Sequence, residues 1–309
     1  MDTNRSIVEV IETTLTKQHD VRLYVKRDDL IDDKVSGNKW RKLKYFVAQF
    51  REKRNEGILT FGGAYSNHLL ATAAYCAQES IPAVGIVRGD ELTVDSNETL
   101  RECAQLGMKL KFVSREEYLI KDDRSYKEYL IEEFPNYMIV PEGGSGYMGM
   151  LGCQEIVAEV RATVAFEHIF VAQGTTTTSC GVLMGLRGEE KLDVVPVLKG
   201  FPSLSVMRDL FKFSAFDSEY IDELLSNVTV HSDYHFGGYG KVDVELLNFI
   251  RSFYQETKLK LDPIYTGKAM YALMEMVKSG ELDGKTVVFL HTGGLQGARS
   301  IEEKYGTLY

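Results

Sequence analysis

Short apolar, β-branched runs alternate along the chain with longer stretches whose apolar residues recur at helical spacing. "GILTFGG", "AVGIVRG", "LKFVS", "YMIVPEGG", "HIFVAQG", "DVVPVLKG", "VTVHSDY" and "TVVFLHTGG" read as strands. Trp40 to Lys53, Ser66 to Gln78, Val244 to Tyr254 and Ala269 to Lys278 read as helices between or after them. This alternation predicts right-handed βαβ units around parallel sheets covered on both faces, an α/β class. No repeat period, Pro-rich linker or low-complexity tract marks a boundary. The strands are too many for one simple doubly wound sheet, so two interleaved lobes are expected.

Ligands of open α/β sheets gather beyond the carboxyl ends of the strands, which directs attention to the strand-to-helix turns. "FGGAYSNHLL" passes through paired glycines to Ser66, Asn67 and His68 at the head of an Ala-rich helix. The N–H groups there favour a carboxylate or phosphate, although Ser66 also suits a plain N-cap. "AQGTTTTSCGVLMGL" follows Gly174 with Thr175, Thr176, Thr177 and Thr178, hydroxyls and amides that together make a cradle for a dianion. It matches neither the Walker pattern nor G-x-G-x-x-G, which disfavours a nucleotide-dependent oxidoreductase. "HTGGLQGA" leaves its strand through Gly293 and Gly294, which allow close approach of backbone to a ligand. "SGNKWRKL" sets Lys39 after a tight turn among Arg41, Lys42 and Lys44. The plain reading of such a basic cluster is a solvated face.

Composition narrows the ligand. The chain has 309 residues, 44% hydrophobic and 26% charged, enough for an extensive core, and its formal net charge is -9. That balance argues against a nucleic-acid footprint and leaves a small molecule. No run approaches the length of a membrane span and the first residues carry no leader-like apolar core, so a cytoplasmic protein is expected. Cys76, Cys103, Cys153 and Cys180 show no C-x-x-C pairing and no histidines at ligand spacing, which points to buried thiols and away from zinc.

A lysine after a turn, a phosphate-type loop and a Ser-Asn turn are the parts a pyridoxal phosphate enzyme needs. "KRDDL" with "SGNKWRKL", then "GGAYSNH", the Gly-Thr loop, "LDPIYTGKAM" and "HTGG" occur in one order from about Tyr24 to Gly294. The combination resembles the fold-type II pyridoxal phosphate enzymes of the 1-aminocyclopropane-1-carboxylate deaminase and D-cysteine desulfhydrase family. The resemblance implies a tryptophan synthase β-like fold, with 1–46 and 146–309 as the large cofactor-binding domain and 47–145 as the small one. It implies a homodimer, pyridoxal 5'-phosphate as cofactor and a small amino acid as substrate.

Roles carry over by matching motif. Lys39 corresponds to the lysine that holds the cofactor and then takes the α-proton. Asn67 corresponds to the partner of the pyridoxal 3-hydroxyl. Ser66, with the N–H groups after it, corresponds to the turn that receives the substrate carboxylate, and Ser66 to a proton shuttle. Gly174 to Thr178 correspond to the phosphate loop, although family loops usually carry more Gly or Ser where this chain has Thr176 and Thr177. Tyr239 and Tyr265 correspond to two tyrosines that face the substrate; ordinary aromatic packing is their other role. The "GGAYSNHLLATAA" segment lacks the Arg-Gln pair that often follows in the family.

The resemblance puts Thr266 beside the pyridine nitrogen. A carboxylate there, as in the ring-opening deaminases, favours a protonated ring; a hydroxyl leaves the nitrogen more nearly neutral. His68 points the same way, since the desulfhydrases carry "SNH" and the deaminases tend to have Gln. The expected reaction is β-elimination, with D-cysteine first and D-serine, β-chloro-D-alanine or the cyclopropane amino acid open. A non-catalytic binder on the same scaffold is the reading of another class, and colour separates them, because a lysine-bound cofactor is yellow.

Overall fold

The computed structural model describes residues 5–32, 35 and 37–309; the turn residue Ser36 lies outside the described residues. The ten strands are β1 (Val8–Ile11), β2 (Arg22–Lys26), β3 (Gly57–Gly62), β4 (Ala83–Arg88), β5 (Met108–Val113), β6 (Tyr137–Val140), β7 (His168–Gln173), β8 (Lys191–Pro196), β9 (Val228–Val230) and β10 (Thr286–Leu290). They form a six-stranded sheet, β1-β2-β10-β7-β8-β9, and a four-stranded sheet, β5-β4-β3-β6. Every pairing is parallel except that of β1 with β2. The fold is α/β with parallel sheets. β1 and β2 are absent from the sequence reading, because their alternation is broken by charge, and β2 ends in Lys26, whose buried ammonium pairs with Glu159 at 2.7 Å.

The chain divides into two compact units, Met1–Asn38 with Met150–Tyr309, and Lys39–Gly149. In the first, the side chains of the six-stranded sheet alternate between two cores, as the two-residue period of a strand requires. Leu23, Val25, Phe170, Ala172, Val195, Val287 and Phe289 pack with Ala269, Met270, Leu273 and Val277 of the helix Thr266–Ser279. Ile169, Val171, Leu192, Val194, Val288 and Leu290 face the other way, onto residues of the helices Tyr147–Arg161, Thr177–Gly185, Ser203–Phe213 and Ser218–Leu225. Gly181 lets two of these helices meet: a Cβ there would lie 2.5 Å from the Met150 carbonyl oxygen.

In the second unit β3 is buried along its whole length, and Leu59, Phe61, Val84 and Ile86 pack with Tyr118, Tyr126, Leu130 and Phe134. Leu69 of the helix Asn67–Gln78 covers β4 at Gly85, where a Cβ would stand 3.1 Å from its Cδ2. The helix Asn38–Lys53 runs unbroken past residue 46, and the boundary between the units falls at its first turn. All four cysteines are buried thiols. Among the described residues no helix is long and apolar enough to cross a membrane, and no cluster of metal-ligating side chains occurs.

Candidate active site

In the first unit the turn before Lys39 is held by backbone. Gly37 has φ +45°, and a Cβ on it would lie 2.3 Å from the Thr292 carbonyl oxygen, so only glycine fits between this turn and the "HTGG" segment. Asn38 donates its backbone N–H to that same oxygen at 3.3 Å. Its side-chain amide donates to the Thr178 hydroxyl at 3.1 Å. One peptide bond before Lys39, the chain is therefore tied to the threonine loop.

That loop leads into the helix Thr177–Gly185, whose start is buried: Thr176, Thr177, Thr178 and Ser179 are each at most 4% exposed. Among the described residues no side chain caps the helix, and its first turn carries no acid. The dipole and amide groups at such a buried helix start favour an anion. Gly174 is required beside it, because a Cβ would sit 2.7 Å from Cε1 of Tyr265. The residues present fit a phosphate dianion.

Tyr265 meets Tyr239 edge to face, with ring centroids 6.0 Å apart. Burial and the neighbouring Tyr239 hold the Tyr265 phenol well above its ordinary pKa, so it stays a donor at neutral pH. Tyr239 itself is exposed. Its turn is pinned from below by Lys268, whose ammonium donates to the carbonyls of His235 at 2.9 Å and Gly238 at 2.8 Å. Burial lowers the Lys268 pKa to about 8. Thr266 opens the helix Thr266–Ser279 and is fully buried, its hydroxyl donating to the Asp262 carboxylate at 2.6 Å. The Asp262 carboxylate is also fully buried; burial raises its pKa, opposed by hydrogen bonds from Thr266 and Tyr265 and by the charge of His291.

In the second unit Lys39 is the second residue of the helix Asn38–Lys53 and is partly buried. Arg41 and Lys42 of the basic cluster are essentially inaccessible and form no solvated face. Ser66 is the N-cap of the helix Asn67–Gln78, its hydroxyl accepting from the Leu69 N–H at 3.2 Å. Asn67 begins that helix, half-buried. His68 is buried, and its Nε2 meets the Thr60 hydroxyl at 2.8 Å. Thr60 donates its own proton to the Val140 carbonyl at 2.8 Å, so Nε2 of His68 carries the hydrogen. Nδ1 is left as a buried acceptor without a partner among the described residues. Burial, then the charges of Lys39 and Lys42, push the His68 pKa well below the ordinary value, so the ring is neutral.

A family model described as pyridoxal-phosphate dependent enzyme matches residues 10–293. The chain belongs to the pyridoxal-phosphate dependent enzymes. A D-cysteine desulfhydrase of Serratia proteamaculans is 31% identical over 287 residues, 88% of this chain and 86% of that one. A mitochondrial bifunctional D-cysteine desulfhydrase/1-aminocyclopropane-1-carboxylate deaminase of Arabidopsis thaliana is 30% identical over 298 residues, 89% of this chain and 73% of that one. The crystal structure of a 1-aminocyclopropane-1-carboxylate deaminase homologue superposes with a TM-score of 0.81 at 27% identity, covering 99% of this chain and 94% of that chain. The cofactor of this pyridoxal-phosphate dependent enzyme is pyridoxal 5'-phosphate.

Sequence reasoning missed three residues of this region. Asn38 and Lys268 give no local signal, because their partners are remote in sequence. Asp262 did leave one: an Asp-Pro step just before a helix is an established way to start one, and its carboxylate accepts the N–H groups of Ile264, Tyr265 and Thr266.

Proposed function

We propose that this enzyme eliminates a β-substituent from a small amino acid, D-cysteine first, giving pyruvate, ammonia and sulfide. Pyridoxal phosphate, when bound, supplies an electron sink for the carbanion left at the α-carbon. The side chains supply everything else. Lys39 holds the cofactor covalently, is released as the substrate amine takes its place, and its Nζ then accepts the α-proton. Gly174 to Thr178 bind the phosphate through amides and hydroxyls. Ser66 and the amides after it bind the substrate carboxylate, and Asn67 holds the ring oxygen. Tyr239 and Tyr265 border the substrate as donors. His68, being neutral, is no acid at pH 7 and offers only a hydrogen-bond acceptor.

The observation that carries the choice of substrate is that the side chain at 266 is a hydroxyl, with the nearest carboxylate, Asp262, held one hydrogen bond behind it. Polarisation of the ring relayed through a hydroxyl is weaker than from a carboxylate in direct contact. It serves to acidify an α-hydrogen, after which thiolate leaves readily, better than to open a cyclopropane ring that has no α-hydrogen. A release assay with both cysteine enantiomers, D-serine, β-chloro-D-alanine and 1-aminocyclopropane-1-carboxylate tests this. Pyruvate from D-cysteine should far exceed 2-oxobutanoate from the cyclopropane amino acid; comparable efficiency would make the protein bifunctional, like the relative whose name carries both activities, and the reverse preference would make it a deaminase. A homodimer in the cytoplasm, with no nucleic-acid or membrane partner, completes the proposal; light scattering on the purified protein checks the dimer.

A further inference from the structure

Asp262 and Thr266 are joined by hydrogen bonds in both directions. Oδ1 of Asp262 accepts from the N–H groups of Ile264 at 2.9 Å and Tyr265 at 2.7 Å. Oδ2 accepts from the N–H of Thr266 at 2.8 Å and from its hydroxyl at 2.6 Å. In return, the Asp262 N–H donates into the Thr266 hydroxyl oxygen at 2.9 Å. Two carboxylate oxygens offer about four lone-pair sites, and four donors occupy them, which leaves a proton no place on this group without displacing a bond. These four hydrogen bonds favour the ionised form against the burial that raises the Asp262 pKa. Capping alone does not call for this, since a neutral Asn or Ser caps a helix without the desolvation cost of a buried charge.

The hydroxyl of Thr266 has one proton and two lone pairs. Its proton is committed to Asp262 and one lone pair to the Asp262 N–H, so a single acceptor lone pair remains. We propose that Asp262, acting through Thr266, makes this position an acceptor-only partner for the cofactor's pyridine nitrogen and thereby holds that nitrogen protonated. The inference rests on the reading above that Thr266 faces the ring nitrogen. A neutral pyridine would set its lone pair against that of the hydroxyl, whereas a pyridinium N–H gains a hydrogen bond backed by an anion one bond further away. Asp262 is on this account a positioning residue: the ring carries its proton, where a lone hydroxyl would leave the nitrogen more nearly neutral, but on a relayed anion whose pull is weaker than that of a carboxylate in contact.

The test is the ring-nitrogen resonance of the holoenzyme reconstituted with pyridoxal phosphate labelled with nitrogen-15, since protonation moves that resonance far upfield. Wild type and Thr266→Ser should show the pyridinium position. Thr266→Val, lacking the acceptor, should show the unprotonated position while keeping the cofactor, and a folded Asp262→Asn should shift towards it. An unprotonated ring in wild type overturns the inference, as does a pyridinium signal that persists in Thr266→Val or in a folded Asp262→Asn. If Asp262→Asn does not fold, Thr266→Val decides. Failure of the wild type to retain any cofactor is a different result: it removes the functional reading, and this inference with it.

Discussion

Two side chains carry tests at the scale of the residue. Lys39→Ala should bind pyridoxal phosphate only reversibly, with borohydride no longer fixing label to the chain, and should lose turnover by roughly 10²–10⁴-fold, the usual worth of a positioned acid-base group. A covalent adduct that survives the substitution would mean that another lysine is the attachment point. Ser66 does two jobs in the proposal, and Ser66→Gly separates them. Glycine at an N-cap costs only a few tenths of a kcal/mol, so stability should hold while kcat/KM falls through the lost hydroxyl. Unchanged kcat/KM would leave Ser66 as the cap seen at the head of its helix and nothing more. Among the residues read from sequence, Lys39, Ser66 and Gly174 stand out in the linear chain because the turn chemistry around them is local. Burial is not local, which is why Arg41 and Lys42 belong to the interior rather than to the solvated face their charges suggest.

At the scale of the element, the helix Thr177–Gly185 is positioned by glycine. Gly181→Ala should destabilise by about 1–3 kcal/mol in urea unfolding, the ordinary cost of overpacking, because the added Cβ meets a backbone carbonyl that cannot turn aside. Intrinsic helix propensity works the other way, by roughly 0.5–1 kcal/mol, so the sign of the measured change decides whether packing or propensity governs the site. The helix Thr266–Ser279 yields a pH test through Lys268. Its folded pKa, about 8, lies below the ordinary value of 10.5, so between those values the unfolded chain binds the extra proton. Stability contributed by this group therefore rises with pH through that window. Measured against Lys268→Met, wild type should gain ground from pH 8 to 10.5; a difference that stays flat would show that the ammonium is not desolvated in the fold. The same variant should loosen the turn that bears Tyr239, since the carbonyls of His235 and Gly238 lose their donor.

For the whole molecule, the cofactor is a ligand of the native state, so its binding adds RT ln(1 + [L]/Kd) to stability, about 2.7 kcal/mol at a hundredfold excess over Kd. Thermal unfolding should move upward on adding pyridoxal phosphate to the stripped protein. Removing the loop hydroxyls, as in Thr176→Val with Thr178→Val, should shrink that shift. A shift equal to wild type would put the phosphate elsewhere, with the Gly293–Gly294 turn as the next place to look.

The amino-acid order by itself determined the α/β class, the eight strands with apolar runs, the turns that carry ligand chemistry and, through the order of their motifs, the family. These are properties of period and of adjacent residues, which a linear chain displays before it folds. It also supplied the Thr266 hydroxyl, but not its meaning. Whether a hydroxyl donates or accepts depends on which groups fill its other sites, and that was settled only when folding buried Asp262 against it. The tautomer of His68 is likewise decided by Thr60, whose own proton goes to the Val140 carbonyl on the neighbouring strand. Lys268 finds its two carbonyls some thirty residues away in the chain. Charge state, hydrogen-bond direction and desolvation are set by neighbours in space, and no periodicity in the sequence encodes who those neighbours are.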